Sequence, residues 1–253
     1  MGTADLHIHS TYSYDATTTV RAILKHASDV GLDVIAVTDH DDIRGSLEAR
    51  DLASAYGIES IPGVEVSTKD GHLVALFVEA APPAGLSLAD TLILIGELGG
   101  IAFAPHSFNN LPNSLSMEAV IGALTNPRAK NILKGIETHN MGTQSFDSIV
   151  QKLSIYLPLA KIAASDAHVY WAIGAARTEF PGKTSQDLRK AIELNTTVPI
   201  PYEEEFSATA ILRWARRMAL RRFGYASDST SASEPINTQK LTQTFIRRIK
   251  KKQ

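Results

Sequence analysis

The chain has no cysteine, which removes disulfides, thiolate metal sites and cysteine nucleophiles together, so any metal it binds is held by nitrogen and oxygen. It also lacks an apolar run near the roughly 20 residues that span a bilayer. Its first residues show none of the basic, apolar and small-residue sections of an export signal, and the expected address is cytoplasmic. What is present, 44% hydrophobic and 21% charged residues in a chain of 253, is enough for one large core and excludes wholesale disorder. The net charge of -2 conceals an asymmetry. Residues 1–210 hold 14 Lys and Arg against 25 Asp and Glu, whereas residues 211–253 hold 11 against 2, so the acidic and basic parts need separate explanations.

Short runs rich in Val, Ile and Ala alternate with helical patterns from the start, the rhythm of a parallel sheet or barrel. Strands are expected near 4–8, 33–37, 58–66, 72–77, 101–104, 134–138 and 160–164, with a hairpin turn at Lys69-Asp70-Gly71. Helices are expected near 18–30, 43–56, 87–98, 116–125, 144–156 and 184–194, where apolar positions recur at helical spacing. Neither half contains a complete sheet with covered faces, so residues 1–200 read as one α/β barrel. A basic amphipathic helix is expected over 201–225, around Ile211, Leu212, Trp214 and Met218 among arginines, and a flexible basic tail over 226–253.

Six of the eight histidines fall at strand ends in the company of carboxylates: His7, His9, His40, His72, His106 and His168. In barrels the carboxyl ends of the strands share one face, so these residues converge. His7 and His9, two apart on a strand, share a side and can chelate one ion. Asp166 and His168 repeat that spacing, and Glu65 ends a middle strand, where burial without a cation or hydrogen-bond donors is costly.

The set Asp-Leu-His-Ile-His-Ser at 5–10, Thr-Asp-His at 38–40, Pro-Gly-Val-Glu at 62–65, Pro-His at 105–106 and Ser-Asp-Ala-His at 165–168 resembles the polymerase and histidinol phosphatase (PHP) family of phosphoesterases, in order, across roughly residues 1–200. The resemblance implies a distorted (β/α)7 barrel with two or three divalent ions, manganese, iron or zinc. It places His7, His9, Glu65 and Asp166 on one ion. Glu65 would bridge to a second, completed by His106 and by either His72 or His139. Asp15, His40 and His168 would hold a third. The implied reaction is hydrolysis of a phosphate ester of a small metabolite or nucleotide by a hydroxide shared between metals, since bound metal can lower a water pKa from about 15.7 to near 7. Glu65 and Asp166 are the catalytic candidates, with Arg177 as a bidentate phosphate ligand and Asn109, Ser10 and Arg44 as further donors. Asp5 and Asp39 are candidates for orienting ligands without touching metal.

Two other readings stay open. Amidohydrolases also place His-x-His after a first barrel strand, but Thr-Asp-His40 and Asp-Ala-His168 have no role in their usual two-metal site. The basic carboxyl-terminal region would attract nucleic acid phosphates without reading sequence, which fits a nuclease acting on RNA or DNA ends.

Overall fold

A computed structural model describes residues 1–109 and 111–202, together with residues 212, 215, 216, 218 and 219. The expected basic tail, and most of the helix before it, lie outside the described residues. No helix among the described residues is long and apolar enough to cross a membrane.

Among the described residues nine strands, β1 (Gly2–Ile8), β2 (Val34–Val37), β3 (Glu59–Thr68), β4 (Gly71–Leu76), β5 (Ile101–Ala104), β6 (Leu133–Asn140), β7 (Ala160–Ala164), β8 (Arg177–Phe180) and β9 (Val198–Ile200), alternate with six α-helices. These are α1 (Val20–Asp29), α2 (Arg44–Leu52), α3 (Leu88–Glu97), α4 (Met117–Thr125), α5 (Asp147–Ser154) and α6 (Ser185–Glu193). The strands form one sheet in the order β7-β6-β5-β4-β3-β2-β1-β8-β9. It curls into a nearly closed barrel. Above β7 the chain reaches β1, where His9 N–H donates to Ala167 O at 2.9 Å. Below, β8 wedges in antiparallel to β1, and the Thr178 hydroxyl bonds both N–H and C=O of Ala163.

Helix starts follow from local chemistry: Thr19, Ser87, Ser116 and Thr184 each accept a backbone N–H with the side chain, and Thr184 and Asp187 complete a capping box. The four residues of β2 are all buried because both faces are covered. Val34 and Ala36 point into the barrel with Leu6, Ile61, Phe103 and Ile162. Ile35 and Val37 pack outward with Ile23 and Leu24 of α1, which is why such a strand reads as an unbroken apolar run. Leu188, Ala191 and Ile192 of α6 join the inner cluster and plug the lower end.

The structure departs from a simple run of parallel strands. β4 lies antiparallel to both β3 and β5, as the Lys69-Asp70-Gly71 turn demands, and β8 and β9 are additional antiparallel strands. Two bulges matter most for the site. In β1 the register against β2 slips between Asp5 and Ile8, so Leu6 still packs inside the barrel while His7 and His9 also turn inward. In β6 the register against β7 slips between Glu137 and His139. A bulge inserts one residue and reverses which side chains face in.

Candidate metal centre

Four ligand atoms meet at the upper mouth of the barrel. His7 Nε2 lies 3.2 Å from Glu65 Oε2 and 3.4 Å from Asp166 Oδ1; His9 Nε2 lies 3.3 Å and 3.2 Å from the same two oxygens. Yet His7 Nε2, His9 Nε2 and Glu65 Oε2 are buried and engage in no hydrogen bond. The spacing is that of ligands around a shared centre: a tetrahedral ion with bonds of about 2.0–2.1 Å separates its ligands by about 3.3–3.4 Å. The residues present therefore fit a bound divalent cation.

Glu65, only 1% exposed, sits where β3 alternates Val64 and Val66 outward. Its other oxygen lies 2.9 Å from His72 Nδ1 and 3.0 Å from His106 Nε2, so one carboxylate is common to two groups of ligands. His40 reaches Glu65 Oε2 at 3.1 Å through Nδ1 and Asp15 Oδ2 at 3.3 Å through Nε2. His168 Nε2 reaches Asp15 Oδ2 at 3.2 Å. The donors fall into overlapping sets, one around His7, His9 and Asp166, one around Glu65 with His7 and His106 or with His40 and His72, and one of His9, Asp15, His40 and His168.

Neighbouring groups hold the imidazoles in orientation. His7 Nδ1 bonds Glu137 Oε1 at 2.8 Å, His9 Nδ1 bonds Ser13 Oγ at 3.0 Å and His168 Nδ1 bonds Asp166 O at 2.8 Å. Each such bond turns Nε2 toward the centre. Asp39, fully buried, accepts from Ser10 N, Ser10 Oγ and Ser13 N and so folds the turn that carries Ser13 under His9. Asp5 accepts from Ser165 N and Gly174 N, binding the Asp166–His168 segment to β1; burial pushes its pKa up to about 6. Two ligand candidates, His106 at φ 27° and Asp166 at φ 51°, take left-handed backbone conformations, a strain of about 1–3 kcal/mol each that functional sites retain.

Charge here is tightly coupled. Burial by itself would favour neutral rings, but Asp166, Glu137 and Glu65 hold His7 well above its ordinary pKa, and Asp166 and Glu65 raise His9 to about 10. Burial would likewise raise Glu65 and Asp166, yet His7 and the rings around it hold both well below the carboxylate range. Three converging carboxylates, Asp15, Glu65 and Asp166, demand positive charge between them, which protons or metal ions supply.

Of the residues expected from sequence, His7, His9, Asp15, His40, Glu65, His72, His106, Asp166 and His168 come together. His139 does not: the bulge in β6 turns Asn140 inward instead, and His139 bonds Gln151 Nε2 through its own Nε2 at 2.9 Å. Arg177 is not among these clustered donors either. Thr178 and Phe180 of β8 face the barrel interior, so alternation puts Arg177 on the other face. The remaining proposed phosphate donors are engaged elsewhere, Arg44 with Asp42, Ser10 with Asp39, and Asn109 with His106 O. Tyr12 bonds Glu48, and exposed Tyr14 stacks on His40 with ring centroids 5.2 Å apart. His26 packs edge-on against Tyr170. Glu137, Asn140 and Ser13 were not singled out by sequence reasoning. A lone acid in an otherwise buried strand, Gly135-Ile136-Glu137, was the available signal for the first.

A family model described as the PHP domain matches residues 5–173. Over 179 residues the chain is 32% identical to an uncharacterized protein of Methanocaldococcus jannaschii, covering 66% of this chain and 98% of that protein. A stretch of 95 residues is 35% identical to a phosphoribosyl 1,2-cyclic phosphate 1,2-diphosphodiesterase of Eggerthella lenta, 35% of this chain and 36% of that enzyme, so the chain matches little more than a third of that relative's length. A solved two-domain protein containing a predicted PHP-like metal-dependent phosphoesterase, from Bacteroides vulgatus, shares the fold with a TM-score of 0.66 at 19% identity, covering 91% of this chain and 72% of that one.

Proposed function

Because the chain belongs to the PHP domain family of metal-dependent phosphoesterases, we propose that it hydrolyses the phosphate ester of a small metabolite or nucleotide at a nest of two or three divalent ions. In this reading His7, His9, Glu65 and Asp166 would hold one ion, and Glu65 would also serve a second together with His72 and His106. Asp15, His40 and His168 would hold a third. Nitrogen and oxygen ligands of this kind suit manganese, iron and zinc. Ions in such a nest supply Lewis acidity toward phosphoryl oxygens and acidify a water nucleophile. The observation that carries the reading is the ring in which Nε2 of His7 and Nε2 of His9 each lie 3.2–3.4 Å from both Glu65 Oε2 and Asp166 Oδ1, without a hydrogen bond at either Nε2.

The protein's own groups do the rest. A cleft of about 410 Å³ opens over the nest, with Asp15, His106, Asn113, Thr143, Asp166 and His168 on its wall. That volume lies in the lower range of small-molecule pockets and suits a compact phosphorylated substrate. Its described wall includes no lysine or arginine, so Asn113, Thr143 and Ser165 are the neutral polar side chains on it, and the ligand nest would take the anionic charge. Asp39 and Asp5 keep the ligand-bearing segments in place.

Metal analysis combined with p-nitrophenyl phosphate and amide substrates, with added manganese, tests the proposal. Wild-type protein is expected to retain metal and cleave the phosphate ester but not amides. Glu65→Ala is expected to lose both metal and turnover. Wild-type turnover in Glu65→Ala would contradict the proposal.

A further inference from the structure

We propose that Glu137, paired with Asn140, is a positioning residue that dictates which nitrogen of His7 faces the nest and thereby sets how tightly the ions are held. The inference rests on the metal-binding reading above but not on the identity of the substrate. Glu137 is 1% exposed and takes three donors, from β1, from the loop after β5 and from its own strand β6: His7 Nδ1 on Oε1 at 2.8 Å, and His106 N and Asn140 Nδ2 on Oε2, each at 2.8 Å. Asn140 Nδ2 also lies 3.3 Å from Asp166 Oδ2. One carboxylate and one amide thus touch three of the proposed ligands, His7, His106 and Asp166, from beneath.

The chemistry of the carboxylate makes the arrangement directional. An ionised carboxylate only accepts, so the nitrogen of His7 that faces it must carry the proton, and the lone pair is left on Nε2 toward Glu65 and Asp166. The same group anchors the amide of His106, whose backbone is held at φ 27°. Glutamine has the same shape but a single acceptor. If its oxygen stays on the side of His106 and Asn140, its NH2 faces His7 Nδ1 and drives the proton onto Nε2, where it blocks coordination. If it is reversed, its NH2 faces two other donors. Glu137→Gln therefore changes the bonding while leaving the volume almost unaltered.

Three measurements on zinc-loaded full-length protein test this. Nitrogen-15 NMR of the wild type should place the slowly exchanging His7 ring proton on Nδ1. Competition with a chelator should show Glu137→Gln losing zinc about 10- to 100-fold more readily than wild type, whereas His139→Ala, whose ring lies outside the ligand sets, should match wild type. Circular dichroism confirms that the compared variants are folded. Wild-type zinc retention in folded Glu137→Gln, or a His7 ring proton on Nε2 in the loaded wild type, would overturn the assignment while leaving the ligand nest standing. If Glu137→Gln does not fold, a His7 ring proton on Nε2 in the loaded wild type still overturns the assignment. A wild type that holds no zinc would overturn this inference and the metal reading together.

Discussion

Replacing Gly45 by alanine sets two effects of opposite sign against each other. Gly45 lies in the first turn of α2, and helix propensity alone would favour alanine there by about 0.8–1.0 kcal/mol. The structure predicts the reverse. A Cβ at Gly45 would overlap Asp39 Oδ2 and come within 2.7 Å of Ser10 Oγ and 3.0 Å of Tyr12 Cδ2. Overpacking of this kind costs about 1–3 kcal/mol. Moving Asp39 also weakens bonds from Ser10 N, Ser10 Oγ and Ser13 N, and a hydrogen bond to a charged group contributes about 1.5–3 kcal/mol. The expected net loss is about 2–4 kcal/mol, and at about 2–4 °C per kcal/mol for a domain of this size the melting temperature should fall by roughly 5–15 °C. Metal retention should fall with it, because Ser13 holds His9 in orientation. Gly122 on α4, where an added Cβ would meet nothing within 4 Å, is the matched control, and alanine there should raise stability by about 0.8–1.0 kcal/mol. Thermal unfolding of both variants decides the matter. A Gly45→Ala protein as stable as Gly122→Ala, with undiminished metal, would refute the claim that Asp39 and its turn support the site.

Chelation should lower the melting temperature of the purified protein: each ion present at 100 times its dissociation constant stabilises by about 2.7 kcal/mol, or about 5–11 °C, so no shift on adding EDTA and then restoring manganese would count against bound metal. His72→Ala should reduce metal stoichiometry, read by atomic emission, whereas His139→Ala should leave it unchanged; the opposite pattern would exchange their roles. Asp147 is pushed up to about 6 by burial, against the pull of the Tyr202 hydroxyl and the Asn140 N–H. A carboxyl with a raised folded-state pKa contributes stability that is complete below about 4 and lost as the pH rises through about 6. Asp147→Asn should therefore gain stability relative to wild type between pH 4.5 and 7, and a constant difference across that range would show that Asp147 does not titrate in it.

The parts of the site that were legible in the sequence are those whose spacing survives any fold: His-x-His at 7–9, Asp-x-His at 166–168, and Glu65 at a strand end. Strand ends share a rim, so their convergence follows from the topology alone. Which of His72 and His139 lies beside Glu65 was not legible, because it depends on a one-residue bulge in β6 that swaps His139 for Asn140 on the inner face. The same physics hides in β1, where a bulge lets Leu6 serve the core just before His7 serves the site. The direction of Arg177 was not legible, because β8, four residues with only two buried, carries too little apolar pattern to read as a strand, and it is the alternation of that strand that sets which face the side chain takes. β9, three residues containing Pro199, was missed for the same reason. Glu137 carried only the weak signal of a lone acid in a buried strand, and its role rests on the three donors that converge on it.

Diffraction from a crystal grown with manganese, recorded where manganese scatters anomalously, tests the central claim most directly. The account predicts one anomalous peak enclosed by His7, His9, Glu65 and Asp166 and a second against Glu65, His72 and His106. Those side chains turned apart, with no anomalous density among them, would contradict it.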